Sequence, residues 1–224
     1  MMISINSKLV IYTTFFLIVI GTVFFFIFEN NHTLQGMDLT GKIAHSFLSA
    51  VTPRTAGYNS VVMSNLSVAA IVLTIFLMWV GASPVSTGGG IKTSTFAIAI
   101  LNAFRIAQMK RHIEFHKKEF HERSVNRAFA IIILSIVILG CASLVMYLLE
   151  PDKGPLKILF ECVSAFGTVG LSLGITPALK ESSKILLVLL MFMGRMGILT
   201  LLFALFRSSK TSVYRYPKEN ILIT

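Results

Sequence analysis

The sequence predicts an all-α polytopic membrane protein made of two membrane–pore-loop–membrane repeats. Three observations carry that prediction. Hydrophobic residues make up 54% of the 224 and charged residues only 13%, about half the charged share of a soluble domain. Four apolar runs, at 9–28, 64–82, 128–149 and 185–206, reach the roughly 20 residues that a helix needs to cross a bilayer. A third element occurs twice: FLSAVTPRTAGYN at 47–59 and CVSAFGTVGLS at 162–172 are each a short apolar helix running into a Thr-x-Gly loop. Their surroundings match as well. Gly81 follows Gly57 by 24 residues and Gly194 follows Gly170 by 24, while Met78 and Met191, and Thr87 and Thr200, share an offset of 113.

The first run, 9–28, is uncharged, and Glu-Asn-Asn-His follows it rather than a small-residue cleavage site. It reads as a span, being too long for the apolar part of a usual secretory signal. Residues 29–40 then form a polar outer loop. Residues 41–51 are apolar but too short to span, as a re-entrant helix is, and Asp38 and Thr40 stand at its start as ordinary helix-start residues. A loop over 52–59 and a return span over 61–82 complete the first unit. In the second, 128–149 runs outward, Pro-Asp-Lys-Gly-Pro turns, 156–166 re-enters behind Pro155, 167–172 is the loop and 185–206 returns, with Arg195 as its one charge. The units divide the chain at 1–92, 93–127, 128–206 and 207–224. An irregular glycine loop at membrane depth is tolerated only where protein or a water-filled path surrounds it. The pair of loops therefore points to an ion pathway.

The two return spans differ. The second continues as MFMGRMGILTLLFALF, whereas the aligned part of the first is MWVGASPVSTGGGIKTSTFAI. Pro84 and the glycines 88 to 90 break a helix there. Periodicity leaves two readings open: a polar loop held inside protein at membrane depth, or a helix that ends at Ala82 with a cytoplasmic loop after it. From Lys92 to about His121, Phe96, Ile100, Phe104 and Ile113 fall among regularly spaced bases, as in a helix leaving the bilayer and lying along its surface.

The net charge of +10 is unevenly spread: 91–127 carries eight Lys or Arg against three acids, and the tail after Phe206 four against one. The outer segments 29–60 and 150–184 are balanced, at two against two and four against four. By the positive-inside rule the N-terminus, the 91–127 connection and the C-terminal tail are cytoplasmic. The basic excess is thus orientation and lipid contact, and no nucleic-acid partner is implied.

A cation entering such a path exchanges its hydration shell for oxygens, and rings of backbone carbonyls supply them. Thr55, Ala56, Gly57 and Tyr58, with Thr168, Val169, Gly170 and Leu171, have the proportions of a carbonyl-lined selectivity filter. The re-entrant helices aim their negative C-terminal dipole ends at the same point. Glu161 is the only acid close to a filter helix, either a cation attractor at the outer mouth or a helix-surface residue.

The stretches TPRTAGYNS, GASPVSTGGGIKTSTF, SAFGTVGLSLGIT and GRMGILT closely resemble the Trk/Ktr/HKT superfamily of potassium transporters, above all its bacterial Ktr membrane subunits. The resemblance covers essentially the whole chain, as the third and fourth of the family's four repeats. It implies half of a pseudo-fourfold, potassium-channel-like fold in a bacterial cell membrane. It makes Gly57 and Gly170 filter glycines, which favours potassium over sodium, although a sodium-permeable member stays open without the first two loops. It makes 81–92, with Gly81, Ala82, Ser83, Pro84, Val85, Ser86, Thr87, Gly88, Gly89 and Gly90, an intramembrane gating loop, and Arg195 a pore-lining charge that repels a cation or contacts that loop. It implies inward potassium transport, a homodimer, and a cytoplasmic ring of nucleotide-binding regulatory subunits docked on 91–127 and the tail. Nucleotide enters only through that ring, and no covalent cofactor is implied. Two loops are half of a four-loop filter, and SAVTPRTAG has two residues more than SAFGTVG. A truncated or split half that does not transport alone, lacking an N-terminal half, is therefore the competing reading.

Other signals carry less. GGGIKTST lacks the glycine that a phosphate loop has before its lysine, since Ile91 stands there. His112, His116 and His121 read as solvated residues of a basic segment rather than metal ligands. The sequons at Asn31 and Asn65 carry little weight. Cys141 and Cys162 suggest no disulfide or metal site. No nucleophile–base pair or paired carboxylates support an enzyme.

Overall fold

A computed structural model describes residues 5–84, 86–109, 114–115 and 118–197. Seven helices run in the order α1 (Ile5–Glu29), α2 (Leu39–Val51), α3 (Val68–Trp79), α4 (Thr93–Ala107), α5 (Glu122–Leu149), α6 (Pro155–Gly167) and α7 (Glu181–Met196). A hairpin of β1 (Glu114–Phe115) and β2 (Lys118–Glu119) lies between α4 and α5.

The helix starts have local causes. The Asp38 carboxylate accepts the Gly41 N–H at 3.1 Å and caps α2, satisfying one of the donors that a helix N-terminus leaves open. Ser67 caps α3 through the Ala70 N–H at 3.2 Å. Pro155 opens α6, where its missing N–H costs nothing.

Each repeat also ties its two long helices together at one end with a glutamate. Glu29, at the end of α1, accepts the Thr33 hydroxyl at 2.7 Å and the backbone N–H of Ser67 at 2.8 Å. Glu150, just past α5, accepts the backbone N–H of Lys180 at 2.7 Å and the Ser183 hydroxyl at 3.2 Å. Ser67 and Lys180 are the N-caps of the two return helices, so each outgoing helix hands a carboxylate to the start of its returning partner. The Lys180 N–H holds the Glu150 carboxyl below its ordinary range. This contact is accordingly complete above the usual carboxylate pKa and is lost as pH falls through the lowered one.

Three expectations need correction. Four full spans were expected; among the described residues, only α1 and α5 are long and apolar enough to cross a membrane alone. With 12 and 16 residues, α3 and α7 reach roughly 18 and 24 Å, short of a hydrocarbon core of about 30 Å. The first return helix ends at Trp79, three residues before Ala82, where the Val80–Ile91 bridge takes over the backbone pairing. The second ends at Met196, where Gly197 has a φ of 82°; residues 198–206 of that expected span, with Thr200, lie outside the described residues. Finally, α4 does not lie apart on a surface: it packs against α1 and α5, with Thr93, Ala97, Ala99 and Asn102 buried. The third helix of the bundle is thereby continued after a break, and α5 begins at Glu122 rather than at 128.

The two re-entrant helices sit in unlike surroundings. α6 packs against α3, α5 and α7 and is buried almost throughout, its Phe160, Phe166 and Ile158 meeting Met78, Met146, Leu187 and Leu190. α2 packs on α1 and leaves Leu39, Ile43 and Phe47 exposed. In lipid no hydrophobic force draws helices together, so close contact must do so. Glycine supplies it here. A Cβ on Gly194 of α7 would lie 1.8 Å from the Phe166 carbonyl oxygen of α6, and one on Gly167 would lie 2.9 Å from that of Met78 in α3.

Candidate cation path

The two Thr-x-Gly loops follow the C-terminal ends of α2 and α6 and meet backbone to backbone. A Cβ on Gly57 would stand 2.9 Å from the Val169 carbonyl oxygen, and one on Gly170 would stand 3.8 Å from the Gly57 Cα. Both glycines have positive φ, 72° and 87°, and so do both threonines, Thr55 at 73° and Thr168 at 52°. A β-branched residue in that region is strained by about 1–3 kcal/mol and persists only where its surroundings over-determine it. The same alternation in two loops marks one backbone geometry built twice.

Hydrogen bonds fix each loop to its helix. The Ala56 N–H reaches the Thr52 carbonyl at 3.1 Å, and the Val169 N–H reaches that of Ser164 at 3.0 Å. Ala56 and Tyr58 are exposed, Thr55 and Thr168 half-buried, Val169 buried and Gly170 exposed. Leu171 departs from its expected place. It is buried, and its carbonyl accepts the Ser164 hydroxyl at 2.6 Å, so that oxygen is turned back toward α6. Beyond the glycines, a cavity of about 440 Å³ opens between Asn59, Ser60 and Ser64 on one side and Ser172 and Gly174 on the other.

The segment between α3 and α4 folds back under these loops. The Ile91 N–H bonds the Trp79 carbonyl at 3.2 Å and the Thr93 N–H bonds that of Ala82 at 3.3 Å, which closes 80–92 at its base. At its tip, the Gly89 N–H donates to the Thr168 hydroxyl oxygen at 2.9 Å. Side chains have no room at the tip. A Cβ on Gly88 would come within 2.8 Å of Thr55 Cγ2, and one on Gly89 within 2.8 Å of the Phe166 carbonyl oxygen. Gly81 leaves space for the Gly89 carbonyl in the same way, at 2.2 Å from a built Cβ. Ala82 is buried, Ser83 and Pro84 half-buried, Ser86 and Thr87 exposed, and Gly90 half-buried with a φ of 73°. Val85 lies outside the described residues.

Two cations hold the loop tip. Arg195 donates to the Thr87 carbonyl from α7, and the Lys92 ammonium donates to the Gly88 carbonyl at 2.5 Å. Contact with this loop was one of the two roles expected of Arg195, and Arg195 meets the loop at Thr87. Lys92 was counted among the orienting bases and as the last residue of loop 81–92, with no partner assigned to it. A lysine two residues after a glycine run was the available signal.

Of the two descriptions expected for Glu161, the helix-surface one is overturned, and the residue lines a cavity of about 320 Å³ with Thr168 and Gly170. It is 4% exposed, not a helix-surface residue, and both carboxylate oxygens face the protein, taking the Thr176 hydroxyl at 2.9 Å, the Leu173 N–H at 3.2 Å and the Ser172 hydroxyl. Sequence reading also missed Glu29 and Glu150, whose signal is a carboxylate ending each outgoing apolar run. No group of three His, Cys, Asp or Glu suited to a metal occurs among the described residues; His112 and His116 lie outside them. Both cysteines are free, Cys141 exposed and Cys162 buried.

The chain is similar to several known proteins. The family model for TrkH, described as a cation transport protein, matches residues 1–213. The Ktr system potassium uptake protein B of Vibrio alginolyticus is 36% identical over 220 residues, covering 97% of this chain and 48% of that protein. The Ktr system potassium uptake protein D of Bacillus subtilis is 35% identical, over 92% of this chain and 46% of its own length. The potassium/sodium uptake protein NtpJ of Enterococcus hirae is 35% identical, over 99% and 50%. Among solved structures, the potassium transporter TrkH of Vibrio parahaemolyticus superposes with a TM-score of 0.73 at 17% identity, covering 90% of this chain and 44% of that one. That likeness is one of fold. The chain spans about half the length of the curated relatives it matches.

Proposed function

Because this chain belongs to the TrkH family of cation transport proteins, which are membrane ion transporters and not enzymes, we propose that it supplies two of the four loops of a potassium uptake path. The observation that carries this reading is the meeting of Gly57 and Gly170 directly above the loop tip at Gly88 and Gly89. In this reading the carbonyls of Thr55, Ala56, Gly57, Thr168, Val169 and Gly170 replace the hydration shell of a dehydrated cation. Tyr58 lies at the outer rim. Leu171 contributes position rather than an oxygen, since its carbonyl is bound to Ser164. The C-terminal ends of α2 and α6 add negative potential at the same place.

Loop 81–92 is then the gate. With Gly89 seated on Thr168 and Thr87 held by Arg195, the tip stands across the path below the glycines, and the Arg195 and Lys92 charges oppose a cation there. Opening requires that the tip leave Thr168. Inward flow gains about 2.3 kcal/mol per charge per 100 mV of inside-negative potential. The relatives' names support potassium as the ion; NtpJ, named for potassium and sodium, keeps sodium within the reading. The bacterial cell membrane, cytoplasmic termini, a dimer, and nucleotide-binding subunits docked on 91–127 and the tail follow from the same family and belong to the proposal.

Rubidium uptake into liposomes tests it. We expect potassium-competed uptake from an assembly that brings four loops together, from copies of this chain or from this chain with a companion half. Absence of such uptake from every assembly would overturn the reading. A second reading, a half that does not transport alone, is favoured by the half-length match to the relatives. It predicts uptake only when the companion half is present.

A further inference from the structure

We propose that Glu161 is a positioning residue for ion discrimination: its buried carboxylate sets where the second loop stands. The inference rests on the transport reading above. The loop leaves α6 at Thr168, passes Gly170 and then doubles back along the helix. It is tied down at successive points on the return. The Ser164 hydroxyl takes the Leu171 carbonyl at 2.6 Å, and one carboxylate, that of Glu161, takes the Ser172 hydroxyl, the Leu173 N–H at 3.2 Å and the Thr176 hydroxyl at 2.9 Å. Gly174 adds a turn with a φ of 87°, its N–H donating to Ser172 Oγ at 2.9 Å.

A carboxylate that is 4% exposed loses its water shell, and only several charge-assisted hydrogen bonds offset that loss. Here all the described partners come from the segment following the glycine, within six residues of Gly170. The carboxylate is therefore a clamp on that segment, not a ligand waiting for an ion. Among the described residues the first loop has no such clamp. Counting back from the shared Ser-Ala pair, the place of Glu161 is taken in α2 by Ser46, whose hydroxyl bonds Lys42 of its own helix at 2.7 Å. The Ser60 hydroxyl beyond Gly57 is buried without a hydrogen-bond partner. Past its glycine, the second loop is braced by a carboxylate and, among the described residues, the first is not. A filter whose oxygens resist moving in to a smaller ion discriminates by radius. On this assignment the braced second loop resists and the first yields.

The test is rubidium uptake with sodium as competitor, in the same liposome assembly. Glu161→Gln retains an acceptor oxygen for Ser172 and Leu173 and presents its amide to the Thr176 oxygen, so it removes the charge while keeping most of the clamp. Glu161→Ala removes the clamp. We expect Glu161→Ala to lower rubidium-over-sodium discrimination about tenfold, the scale of one or two lost hydrogen bonds, with Glu161→Gln within about threefold of the unmodified chain. Thr176→Val, at the loop end and outside the helix, should move discrimination in the same direction and serves if Glu161→Ala does not fold. Equal losses in Glu161→Gln and Glu161→Ala, largest at low ionic strength and relieved at high, would make Glu161 an electrostatic attractor and overturn the proposal. Unchanged discrimination in Glu161→Ala and Thr176→Val would also overturn it. If the unmodified chain passes no rubidium in any assembly, it is the transport reading that fails.

Discussion

Gly194 shows what one residue decides in this fold. The sequence placed it 24 residues after a loop glycine, in step with Gly81, but spacing alone does not say what the missing side chain makes room for. The structure does: α7 crosses the end of α6 so closely that a Cβ would overlap the Phe166 carbonyl oxygen, at 1.8 Å. That oxygen is backbone, one residue before the end of α6, and has no rotamer to escape into. Gly194→Ala should therefore force the two helices apart and cost about 1–3 kcal/mol, as overpacking does. Gly140, on the exposed face of α5, has nothing within 4 Å of a built Cβ, so Gly140→Ala should be neutral or stabilise by up to about 1 kcal/mol through helix propensity. Thermal melts of the two variants in one detergent check the contrast. Other residues were less legible. Thr55 and Thr168 were visible as a motif, but their left-handed backbone is imposed by the meeting of two loops far apart in sequence. No local preference of threonine announces it.

At the scale of elements, the sequence was readable where a rule is local and unreadable where tertiary contact decides. The caps at Asp38 and Pro155 were local, and α2 and α6 begin beside them. The break between α3 and α4 was local too, in Pro84 and three glycines. Its destination was not, since nothing within 81–92 names Thr168, 76 residues on from Lys92, as the acceptor for Gly89. That contact supplies a prediction. Thr168→Val keeps the shape of the side chain and removes the oxygen that receives the Gly89 N–H. Loss of one hydrogen bond, worth about 0.5–1.5 kcal/mol, should raise the open population and the resting rubidium flux about two- to tenfold. Thr168→Ser, which keeps the oxygen, should not. A flux from Thr168→Val equal to that of the unmodified chain would mean that the loop tip is held by Arg195 and Lys92 alone.

At the scale of the whole molecule, the interface already inside the chain indicates what covers its open faces. The return helix of the first unit, α3, packs on the re-entrant helix of the second, α6. Applying the same relation once more places α7 on the α2 of a following unit. The surfaces suit it: α7 exposes Ile185, Val188, Leu189 and Phe192, and α2 exposes Leu39, Ile43 and Phe47. If the following unit is a second copy, the ring has twofold symmetry, since loops of two lengths must alternate around it. We therefore expect Phe47→Cys in one copy and Val188→Cys in another, each carried with Cys141→Ser, to form a cross-linked dimer in membranes under mild oxidation. Phe47→Cys alone should not, because α2 faces α7 and not another α2 in that ring. If the mixed pair stays uncrosslinked while a companion half restores rubidium uptake, then the companion's helix lies on α2 and the two-copy ring is excluded. The ring closes by one kind of contact in either case: a broken return helix laid against the next re-entrant one, with the glycine loops brought to the axis by that packing.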